Sequence, residues 1–112
     1  MDSSGHQAAA DELRSALTRL DPAEHIRAYA ELSFGLAFHV LCLGAQRRFG
    51  VLREQHDGMV RWLRERGARQ PADLLDELER IRTGHWYGRQ GNGRVAHRID
   101  DILASLEAWA LA

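Results

Sequence analysis

Apolar positions recur at helical spacing along nearly the whole chain. From Ala8 to Leu20, Leu13, Leu17 and Leu20 fall three or four residues apart, the period of one helix face. The next stretch opens on "LDPAEH", with Asp21 as an N-cap, Pro22 at the first helical position and Glu24 at the third. This predicts a helix from Pro22 to about Arg48. Its second half, "LAFHVLCLGA", is apolar on nearly every face, and a helix that is apolar all round is buried all round. Such a helix belongs at the centre of a bundle or in a dimer interface, and Gly35 and Gly44 would admit a close neighbour.

Phe49–Gly50 breaks that helix. Val51 to Arg66 carries Val51, Leu52, Met59, Val60 and Leu63, with Gly67 at a C-cap position. Gln70–Pro71 marks another start, and Leu74, Leu75, Leu78 and Ile81 form one face of a helix over Pro71 to Arg82. A loop from Thr83 to Gly93 precedes the last helix, Arg94 to Leu111, striped with Val95, Ile99, Ile102, Leu103, Leu106 and Trp109. Residues 1–7 read as a disordered lead-in and 8–112 as one domain. The fold class is all-α, an up-and-down bundle of four or five helices.

Composition changes this picture little. Ala, Leu, Arg and Glu dominate, all good helix formers. The net charge of −1 makes the chain as a whole balanced. All 15 basic residues are arginine, which reads first as the bias of a GC-rich genome. The single Cys42 excludes an internal disulfide and fits a small buried hydrophobe. The first residues lack the basic start and apolar core of a signal peptide. The longest apolar stretch, Leu32 to Ala45, falls short of the roughly twenty residues that span a bilayer. A cytoplasmic setting with no membrane partner is expected.

One segment stands apart. "RIRTGHWYGRQGNGRVAHR", Arg80 to Arg98, holds five arginines, two histidines, four glycines and a Trp-Tyr pair without one acid. Arg82, Arg89, Arg94 and Arg98 suit phosphates, and Trp86 and Tyr87 offer faces on which unpaired bases stack. Gly88, Gly91 and Gly93 would let backbone N–H groups approach an anion. The same residues also read as a plain helix connection. Trp86 and Tyr87 would then cover the core, and Asp76, Glu77, Glu79, Asp100 and Asp101 would neutralise the arginines. Elsewhere, His39 fits a hydrogen-bonded core histidine, and His56 and Asp57 an exposed face. His97 and Asp101 stand at i,i+4, but no HExxH motif or repeated carboxylate pair calls for a metal, and no cofactor is expected.

The order of segments resembles a known family. "AYAELSFGLAFHVLCLGAQ", a short helix, "LLDELERIR", the basic break "RTGHWYG" and a closing "ILASLEAWA" are similar to the HEPN family, the higher eukaryote and prokaryote nucleotide-binding domains, over about residues 22–111. The resemblance implies a homodimeric HEPN-like bundle that acts on RNA or nucleotides. Its active members are metal-independent ribonucleases of toxin–antitoxin, abortive-infection or CRISPR systems. Their signature, an arginine and then a histidine after four to six residues, is met by Arg80 and His85 with four between. By that carry-over Arg80 and His85 are the catalytic candidates. Histidine titrates near neutral pH as general base or acid, and arginine grips a phosphate in two-point fashion. The family's polar residue after the arginine is Ile81 here, and a second match, Arg19 to His25, spans a helix start. Non-catalytic members pair with a small nucleotidyltransferase, so the implied protein partners are that enzyme or an antitoxin. The competing class is a helical-bundle protein–protein interaction module without chemistry.

Overall fold

The computed structural model describes residues 1–51, 55–84 and 91–112. Among the described residues there are five helices and no strand: α1 Ser3–Leu17, α2 Ile26–Phe49, α3 Met59–Glu65, α4 Arg69–Thr83 and α5 Asn92–Leu111. The all-α bundle expected from the apolar spacing is what forms.

The first helix starts earlier than its leucines suggest. Asp2 accepts a hydrogen bond from the Gly5 N–H at 2.8 Å, an N-cap that satisfies one of the helix's open amides. Residues 3–7, expected as a disordered lead-in, are therefore helical, and His6 joins Ala10 and Leu17 on the buried stripe. The second helix starts later than its proline suggests. Asp21 does accept from the N–H groups of Ala23 and Glu24, at 3.1 and 3.3 Å. That bond pattern closes a turn only, because His25, at φ −111° and ψ 46°, lies outside helical geometry. α2 ends as expected at Phe49, where Gly50 takes φ 71° and its N–H bonds Gln46 O. α3 is shorter than the expected Val51–Arg66 helix, and Leu52 of that stretch lies outside the described residues. α4 begins two residues before Pro71, which a first helical turn tolerates.

α2 is the centre of the bundle, packed by α1, α4 and α5. His6 on α1 meets His39, and Leu13 meets Gly35, so α1 runs antiparallel to α2. Tyr29 meets Asp100 and Gly44 meets Trp109, so α5 runs parallel to α2. Arg82 near the end of α4 meets Glu31 near the start of α2, so α4 runs antiparallel to it. Leu36, Ala37, Phe38, Val40, Leu41, Cys42, Gly44 and Ala45 are all buried, which places the apolar run in the core. At 24 residues, and with an 18-residue window of mean hydropathy 1.4, α2 has the length and composition to cross a membrane, unlike the shorter run counted in the sequence; 61% of that window is buried inside the bundle.

At the far end of the bundle α2 holds α5 by its last carbonyls. Arg47 donates to Ala110 O at 2.9 Å and Arg48 to Trp109 O at 2.8 and 3.1 Å. Cations there also meet the negative end of the helix dipole. The Arg48 guanidinium lies 4.6 Å from the centre of the Trp109 ring.

Candidate nucleic-acid interface

The site forms where α4 ends and α5 begins. The two helices are antiparallel, and Leu78 and Ile81 on α4 join Ala96 and Ile99 on α5 in the common core. This pins the end of one helix beside the start of the other. α5 opens on Gly91, whose φ of 107° is open to glycine and strained for other residues. Neither a side-chain cap nor an acid occupies the first turn of α5.

A cleft of about 340 Å³ lies between the two helices, lined by Glu77, Arg80, Ile81, Arg94, Val95 and Arg98. Three of the arginines singled out in the sequence thus share one space. Their surroundings differ. Arg98 is gripped by Glu77, Nε to Oε2 at 2.6 Å and Nη2 to Oε1 at 2.7 Å. That hydrogen bond holds the Glu77 carboxyl below its ordinary range and pushes Arg98 further above its own. Arg80 donates to Asp76 at 2.9 Å one turn back, yet 76% of its side chain remains exposed. Arg94 is exposed and has no ion pair among the described residues.

Arg82 does not join them. Two residues from Arg80, it points to another face of α4 and bonds Glu79 at 2.7 and 2.9 Å, with Glu31 of α2 at 3.6 Å. Its guanidinium lies 4.4 Å from the centre of the Phe34 ring. These contacts, the Glu79 bond first, push its pKa up and make it a brace between α4 and α2. Three of the five acids flanking the basic segment pair with its arginines, Asp76 with Arg80 at i,i+4, Glu79 with Arg82 at i,i+3 and Glu77 with Arg98 across the two helices, whereas Asp100 accepts from Tyr29 and Asp101 meets His97. His85, Trp86, Tyr87 and Arg89 lie outside the described residues.

The other histidines separate cleanly. His97 and Asp101 form an exposed pair at 3.7 Å. Among the described residues no group of three or more His, Cys, Asp or Glu side chains could hold a metal ion. His39 is hydrogen-bonded as expected but only half-buried, and the core histidine is its partner His6, which the expected disordered lead-in had left out. The signal was there: Asp2 caps a helix in which His6, Ala10, Leu13 and Leu17 follow at i, i+4, i+7 and i+11.

No family model, curated protein or solved structure matches this chain.

Proposed function

We propose that the protein is a HEPN-like RNA- or nucleotide-binding bundle whose ligand phosphates enter the Arg80–Arg94–Arg98 cleft. The observation that carries this reading is the convergence of three arginines from two helices on one space, with Arg94 unpaired among the described residues. Guanidinium groups bind phosphate in two-point fashion. The apolar floor of Ile81 and Val95 suits the face of an unpaired base. In this reading the protein acts in the cytoplasm as a homodimer, and Arg89, Trp86 and Tyr87 extend the contact along the strand.

Cleavage belongs to the same reading. His85, next after Gly84 in the chain, takes the general acid–base role and Arg80 stabilises charge on the phosphate, without a metal. The test is incubation of the protein with labelled tRNA and total RNA in EDTA, beside His85→Ala. Cleavage that His85→Ala abolishes is the expected result. RNA binding without cleavage by either protein removes the ribonuclease and leaves the binding function.

A second reading has its own support. Arg80, Arg82 and Arg98 are already paired with carboxylates, and a groove of about 460 Å³ between α1, α2 and α5 is lined by Ala10, Val40, Leu43, Ala110 and Leu111 among others. These features fit a non-catalytic interaction module or a partner subunit of a small nucleotidyltransferase. RNA binding too weak to measure at low salt would favour it.

A further inference from the structure

Outside the lining of the arginine cleft, two histidines from different helices meet ring to ring. Nδ1 of His6 on α1 lies 2.8 Å from Nδ1 of His39 on α2. His6 is 1% exposed and His39 is half-buried. Phe38 packs edge-on against both rings, at 6.2 Å from His6 and 5.4 Å from His39. A third histidine, His56 from the turn before α3, covers the Phe38 ring at 3.9 Å.

Such a contact is conditional on proton count. A neutral imidazole carries one N–H, so one ring donates from Nδ1 and the other accepts with its Nδ1 lone pair. A proton on the accepting nitrogen destroys the acceptor and sets N–H against N–H. It also places positive charge among apolar rings, where burial penalises it. From this geometry we infer that the His6–His39 contact is an acid-sensitive latch, whose protonation releases α1 from α2 while α4 and α5 stay folded.

The neighbours support this direction. Burial lowers the His39 pKa, and the nearby His6 and His56 lower it further. Several titratable groups on the same elements have partners of their own. On α1, Asp2 caps the helix by accepting from Gly5, and Asp11 pairs with Arg14. Arg14 also holds Glu107 of α5 at 2.9 Å. Asp57 follows His56 in the turn, and Cys42 sits three residues beyond His39 on α2. α1 packs on α2 and reaches α5 through Arg14, whereas α4 is held by α2, α3 and α5.

Amide hydrogen exchange, corrected for the intrinsic rate, tests the latch. The full chain is compared between about pH 7.5 and about pH 5. Protection of the His6–Leu17 amides should fall by about tenfold or more relative to those of α5. His39→Leu and His6→Asn should each remove that dependence, and should one variant not fold, the other is read alone. Equal loss of protection in α1 and α5 overturns the inference, since the bundle would then be opening as one unit. So does a dependence that survives in the folded variants.

Discussion

The guanidinium of Arg98 on α5 and the carboxylate of Glu77 on α4, both lining the cleft, form a two-point pair at 2.6 and 2.7 Å. That carboxylate occupies the position on Arg98 that a phosphate would take. A ligand that uses Arg98 must displace Glu77 first. Glu77→Gln is therefore expected to tighten RNA binding about three- to tenfold, beyond the effect of Asp101→Asn, which removes the same charge from an exposed site. Fluorescence anisotropy on labelled single-stranded RNA reads the difference. Both partners are substantially exposed, so the loss of stability should stay within about 1 kcal/mol by chemical denaturation.

Arg94 and Arg82 make opposite predictions. Arg94→Ala should weaken RNA binding and reduce the slope of log K against log salt by about 1, with thermal stability unchanged. Arg82→Ala should do the reverse. It removes a brace to Glu79, Glu31 and Phe34, so the melting temperature should fall while the salt slope holds. A slope that drops for Arg82→Ala as well would mean that the ligand wraps around the end of α4.

Gly44 is a packing requirement. A Cβ there would meet Trp109 at 2.5 Å and the Ala110 Cα at 2.9 Å, and the second contact is backbone that cannot rotate away. Gly44→Ala should destabilise the bundle by roughly 1–3 kcal/mol in urea unfolding, despite the better helix propensity of alanine. Gly35→Ala is the comparison. Its Cβ would meet only a Leu13 methyl at 3.3 Å, and the loss should be much smaller.

Acid should weaken the fold in two stages. His39 has a lowered pKa in the folded protein, so its contribution is fully present above the unfolded value of 6.5 and declines as pH falls below it. The Glu77 carboxyl is also lowered, by Arg98, so its contribution declines only as pH falls below 4.5. Denaturant midpoints between about pH 8 and pH 4 should therefore fall first in the histidine range. His39→Leu should flatten that first stage and leave the second in place.

Tyr29 and Asp100 tie α2 to α5 near the cleft end of the bundle, with the Tyr29 hydroxyl donating to the carboxylate. Burial and this bond push the tyrosine pKa well above its ordinary value. Tyr29→Phe should cost about 1 kcal/mol in urea unfolding. The ultraviolet titration of the native protein should likewise lack a tyrosinate step from Tyr29 near pH 10.

The sequence by itself determined the helices and the centre of the bundle. Apolar spacing is a local property, and "LAFHVLCLGA" can be satisfied only by burial on every side, which is where α2 lies. Helix ends were legible where one residue decides them, as Gly50 does, and misread where two signals compete, as Asp21–Pro22 and His25 do. The arginines of the basic segment were legible as a group, but their division was not. Arg80 and Arg82 are two residues apart, so helical geometry sends them to different faces, one to the cleft and one to Glu79 and Phe34. Which acid meets which arginine depends on how α4 and α5 cross, a long-range fact that no local pattern encodes. The same holds for His6 and His39, which stand 33 residues apart and become partners only when α1 folds back along α2.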